Sequence, residues 1–88
     1  MRNPLLEVTM LKILRDRAGG LSFYRLATDA SRAVDQPYLT RDEILDTLNR
    51  LIDLKLVEVH RRILRSASFA LTDRGRQALA EELKRPVS

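Results

Sequence analysis

The chain has no cysteine, a single histidine and only three glycines and three prolines among 88 residues. Without cysteine there is no disulfide and no thiolate chemistry, so any core must form from apolar burial alone. One histidine without cysteine does not make an ordinary zinc site, which needs about four nitrogen or sulfur ligands. No apolar run approaches the roughly 20 residues that span a bilayer. The first residues, Met1-Arg2-Asn3-Pro4, lack the apolar stretch and small-residue cleavage site of a secretory signal, so the expected location is cytoplasmic. There is no glycine-rich phosphate loop and no Ser-His-Asp spacing. Asp42 and Glu43 are adjacent on a helix and do not face each other. No catalytic site, metal or cofactor is expected, and the chain does not read as an enzyme.

What is present is basic and mostly arginine. Lysine and arginine total 16 against 12 aspartate and glutamate, a formal charge of +4, and 13 of the 16 are arginine. Arginine forks onto phosphate oxygens and guanine edges better than lysine does. A codon bias toward arginine would give the same excess, so the distribution along the chain carries more information than the total.

Local punctuation divides the chain. Asn3 and Pro4 suit a helix cap and first helical position. Leu6, Met10, Ile13 and Leu14 follow at helical spacing, and Gly19-Gly20 is the expected stop. Ser22 can cap a second helix, with Leu21 and Leu26 placed as a hydrophobic staple. Its buried stripe would be Phe23, Leu26, Ala27, Ala30 and Val34, ending where Gln36-Pro37 breaks the helix. Thr40 and Glu43 form a capping box flanked by a Leu39–Ile44 staple. A third helix follows with Ile44, Leu45, Leu48, Leu51 and Ile52 on one face. Lys55 stands where a terminating glycine is usual.

The period then changes from 3.6 to 2. Val57, Val59, Arg61 and Ile63 alternate with Glu58, His60 and Arg62, and Phe69 and Leu71 alternate with Ser68 and Ala70. This predicts a hairpin with a basic tip near Arg65-Ser66. Thr72 can cap a fourth helix carrying Ala78, Leu79 and Leu83, closed by Lys84-Arg85-Pro86. The expected architecture is α+β, mostly α, in a single domain over 1–88. Its helices are placed at about 4–18, 22–34, 40–54 and 72–84, with a β-hairpin at 56–71.

Three segments resemble the winged helix-turn-helix family, nearest to PadR-like and MarR-like regulators. Gly20-Leu21-Ser22-Phe23-Tyr24 resembles the short strand and start of the second helix. Leu48-Asn49-Arg50-Leu51-Ile52-Asp53-Leu54-Lys55-Leu56-Val57 resembles the end of the recognition helix, with Lys55 in place of glycine. Phe69-Ala70-Leu71-Thr72-Asp73-Arg74-Gly75-Arg76 resembles the return from the wing. The resemblance covers roughly residues 5 to 84. It implies a dimer on double-stranded DNA, the third helix in the major groove and the wing along the adjacent backbone.

The charges support this unevenly. His60 to Ser66 carries Arg61, Arg62 and Arg65 and no acid, which suits phosphate contact and counterion release. Arg41, Thr47 and Arg50 are the candidates for base or phosphate contact on the third helix, and Arg25 for a phosphate beside the second. His60 suits a phosphate contact or a plain surface position. Tyr24 and Tyr38 suit stacking on bases or sealing a pocket, and a place at the core rim suits both. The third helix is net acidic, however, through Asp42, Glu43, Asp46 and Asp53. A winged helix that docks on a protein, without touching DNA, is therefore the rival reading. Leu5 and Val8 on helix one, and Leu79 and Leu83 on helix four, are the candidate surfaces for a homodimer.

Overall fold

The computed structural model describes residues 3–17, 20–35, 39–61 and 67–84. In order they form α1 (Pro4–Arg15), β1 (Leu21–Ser22), α2 (Phe23–Val34), α3 (Arg41–Asp53), β2 (Val57–Arg61), β3 (Ala67–Leu71) and α4 (Asp73–Lys84). The expected sequence of elements is present, with a third short strand.

Each helix starts where a side-chain oxygen satisfies an otherwise unpaired backbone N–H. Asn3 Oδ1 accepts from Leu6 N at 3.1 Å, Ser22 Oγ from Arg25 N at 3.3 Å, Thr40 Oγ1 from Glu43 N at 3.1 Å and Thr72 Oγ1 from Gly75 N at 2.9 Å. The first helix is shorter than the expected 4–18. It stops at Arg15, with Asp16 as its C-cap, so Gly20 (φ 87°) shapes the approach to β1 instead of ending the helix. The end of α3 is built without glycine. Leu56 N donates to Leu51 O and Lys55 N to Ile52 O, both at 3.0 Å, with Lys55 in the left-handed region at φ 65°. These two bonds are the Schellman arrangement, here with a lysine at the position that favours glycine.

The three strands form one antiparallel sheet in the order β1-β3-β2. Val57 pairs with Leu71, Val59 with Phe69 and Arg61 with Ala67, while Leu21 pairs with Phe69 from the other side. Val57 and Leu71 at the hairpin base are buried; Val59, one step outward on the same face, is exposed. Among the described residues burial thus fades along β2 away from the hairpin base.

The core joins Leu6, Met10, Leu11 and Leu14 of α1, Leu26, Ala30 and Val34 of α2, Ile44, Leu48 and Leu51 of α3, the hairpin base, and Leu79 of α4. Helix α1 lies at the centre and packs against α2, α3, α4 and β3. Two expected core assignments change. Leu45 is 42% exposed, whereas Thr47 is buried at 6%. Helix α3 is thus rolled about its axis relative to its apolar stripe as it packs on α1 and β2.

Thr72 ties the hairpin to both of its neighbours. Its hydroxyl donates to Lys55 O at 2.7 Å while accepting from Gly75 N, and its own N–H donates to Leu56 O at 3.0 Å. The return segment Leu71-Thr72-Asp73-Arg74-Gly75 therefore clamps the end of α3, the hairpin base and the start of α4 together.

Candidate nucleic-acid interface

The starts of α2 and α3 come together at one edge of the molecule. Phe23, Tyr24, Ala27, Thr28 and Ser31 of α2 and Leu39, Arg41 and Ile44 at the start of α3 line a groove of about 320 Å³. The Arg41 guanidinium lies over the Phe23 ring, 5.5 Å from its centroid, a cation–π placement that holds it at the groove wall. Arg25, in the first turn of α2, is exposed. Tyr24 is 76% exposed, not at the core rim where the sequence reading places it. The Thr28 hydroxyl is committed to Tyr24 O at 2.8 Å. Among the described residues this edge thus offers two exposed guanidinium groups and no lining carboxylate.

The other candidates are distributed differently. Thr47 is buried and its hydroxyl donates to Glu43 O at 2.8 Å, so it presents nothing to a partner and leaves the set of contact candidates. Arg50 turns toward α1: its Nε stands 3.7 Å from Oε2 of the nearly buried Glu7. His60 is exposed on β2 and its Nε2 is 3.0 Å from Glu58 Oε1. Arg61 ends β2, in register with Ala67. Arg62 and Arg65, like Tyr38, lie outside the described residues.

The outward face of α3 carries Asp42, Asp46, Asn49 and Asp53, all exposed and spaced to form one stripe. Asn49 is not among the candidates that the sequence picks out on α3. It sits in the middle of the face, and an asparagine amide can pair with adenine through both its donor and its acceptor. The signal was present in the spacing, since Asn49 completes the Asp42–Asp46–Asp53 row.

Among the described residues no group of three or more His, Asp or Glu side chains is arranged to hold a metal ion. No helix there is long and apolar enough to cross a membrane.

A three-helix core, a β-hairpin anchored beside the end of α3 and a closing helix define a winged helix-turn-helix protein. Solved structures of PadR-family and MarR-family transcription regulators share this arrangement. Bacillus subtilis PadR, solved in complex with operator DNA, superposes with a TM-score of 0.76 at 25% identity, over 94% of this chain and 49% of that one. A PadR-family regulator from Clostridium difficile gives 0.74 at 14% identity, over 90% of this chain and 83% of that one. A MarR-family regulator from Silicibacter pomeroyi gives 0.66 at 19% identity, over 96% of this chain and 59% of that one. The chain thus spans about half the length of Bacillus subtilis PadR. No family model and no curated protein sequence matches it.

Proposed function

We propose that this chain is a DNA-binding transcription regulator acting on cytoplasmic double-stranded DNA as a homodimer, and that it binds without catalysing a reaction. The observation that carries this reading is the superposition of nearly the whole chain on a PadR solved with its operator. The charge pattern supports it: Arg25 and Arg41 stand at the α2–α3 edge, and Arg61, Arg62 and Arg65 lie close together in the sequence at the end of β2 and between β2 and β3. In this reading those five arginines hold phosphates, which fix register and orientation. Asn49 and the neighbouring carboxylates, which accept from cytosine or adenine amino groups, discriminate bases. Arg50 is anchored to Glu7 and serves the packing of α3 on α1.

The test is an electrophoretic mobility assay across a salt series. Binding is expected to weaken steeply with salt, and replacing Arg61, Arg62 and Arg65 with glutamate is expected to abolish it. Absence of any complex at low salt overturns the reading. The acidic stripe on α3 favours one competing function, docking on a basic protein surface. In that case Asp46→Lys and Asp53→Lys disrupt a complex while the wing changes are silent.

A further inference from the structure

Helix α3 carries two arginines, Arg41 and Arg50, and neither belongs to its outward row of Asp42, Asp46, Asn49 and Asp53. Arg41 is held over the Phe23 ring. Arg50 is drawn off in another direction. It lies one helical turn from Asp46 and from Asp53, carboxylates of its own helix at spacings that commonly pair. Its Nε nonetheless stands 3.7 Å from Glu7 Oε2, across the contact between α3 and α1. Among the described residues neither Asp46 nor Asp53 forms an ion pair with it. The Glu7 side chain is 9% exposed and that of Arg50 45%. The carboxylate is therefore the fixed member of the pair and the guanidinium the movable one. A nearly buried carboxylate has given up most of its water and favours a cation beside it. A half-exposed arginine on a long flexible stem swings toward solvent once that carboxylate is gone.

We propose that Glu7, a residue of α1, determines base specificity: by holding Arg50 on the α1 side it keeps α3 from reading guanine. Arginine is the side chain that reads guanine, by donating to O6 and N7 together. With Arg50 withdrawn, the outward row meets bases through one amide and three carboxylates. The amide pairs with adenine, and the carboxylates accept from amino groups and are repelled by the acceptor edge of guanine. Glu7 touches no base. It is a positioning residue that acts through Arg50, and the pair so gains a role beyond packing. The inference rests on the DNA-binding reading and specifies which bases that site refuses.

The experiment selects bound sequences from random double-stranded DNA with the full chain and with Glu7→Gln, Arg50→Gln and the double variant. Glu7→Gln is expected to gain about tenfold preference for guanine at one position of the site, the scale of one bidentate arginine contact. The gain is expected to vanish in the double variant, and also when 7-deazaguanine, which lacks the N7 acceptor, replaces that guanine. Arg50→Gln alone is expected to keep the base preference of the parent chain. A role in packing alone lowers stability in all three variants and creates no new preference. Glu7→Met, uncharged and of similar length, is the second release variant and is expected to give the same gain; thermal melts verify that each variant folds. Without DNA, the Arg50 Nε resonance is expected to move in Glu7→Gln. The inference is overturned if both release variants select the bases of the parent, if the gain survives loss of Arg50, or if that resonance stays in place. It is also overturned if the parent already selects guanine through Arg50. Failure of every chain to bind any DNA overturns the DNA-binding reading too, which tells the two failures apart.

Discussion

Thr47 shows how one residue changes role once its surroundings are known. In the sequence it is a polar residue in the middle of a candidate recognition helix. In the fold it is buried and its hydroxyl bonds back to Glu43 O. Such i−4 bonding adds little to helix stability, since the same carbonyl already takes part in the helix. Thr47→Val keeps the shape, so it is expected to change unfolding free energy by less than about 1 kcal/mol and to leave DNA affinity unchanged. Denaturant melts and the mobility assay read the two effects separately. Gly75 is the opposite case. A Cβ there would run into the Leu56 carbonyl and Leu71 Cδ1. Gly75→Ala gains about 1 kcal/mol of helix propensity and loses more to that collision. A net destabilisation of about 2 kcal/mol or more is expected in a denaturant titration.

Among the elements, the helix starts were legible and one helix end was not. Asn3, Ser22, Thr40 and Thr72 announce their helices because a cap bond is local: donor and acceptor lie three residues apart. The end of α3 carries no such mark, because Lys55 occupies a left-handed position without being glycine. That conformation costs a non-glycine residue roughly 1–2 kcal/mol. Clamping by Thr72 on the Lys55 carbonyl, 17 residues away, helps to hold it there. Lys55→Gly is therefore expected to stabilise the chain by about 0.5–1 kcal/mol, after the loss of unfolded-state restriction is counted. A lower melting temperature for this variant would show that the lysine side chain itself contributes. The roll of α3 was also hidden. Its apolar residues define a stripe wide enough for several orientations, and only packing against α1 and β2 chose the one that exposes Leu45 and buries Thr47.

At the scale of the molecule, the surface divides by charge and by polarity. Cations stand at the α2–α3 edge, acids line the outward face of α3, and apolar side chains are exposed on α1 and α4. Leu79, expected at a dimer surface, is instead part of the chain's own core. Leu5 at 55% and Leu83 at 50% exposure are the apolar residues that α1 and α4 turn outward. On the proposed homodimer, Leu5→Asp combined with Leu83→Asp is expected to shift the chain to monomer in sedimentation or light scattering. Because neither side chain is buried in the chain's own core, the thermal stability of the monomer should change little. An unchanged oligomeric state in this variant would place the dimer contact elsewhere. DNA affinity should fall with dissociation, since a dimer engages two half-sites about one helical turn apart.

The sequence alone determined the order of elements, because caps, periodicity and the step from period 3.6 to period 2 are properties of neighbouring residues. It also determined that the segment 60–66 is basic and the third helix acidic. Only the tertiary structure decided which side of α3 faces out. It also decided that Arg50 reaches Glu7, that Leu79 is interior, and that Arg41 stands over Phe23 at the mouth of a groove. Those outcomes depend on contacts between residues far apart in the chain. Such contacts are fixed by how three helices share one core, not by the local spacing within any of them.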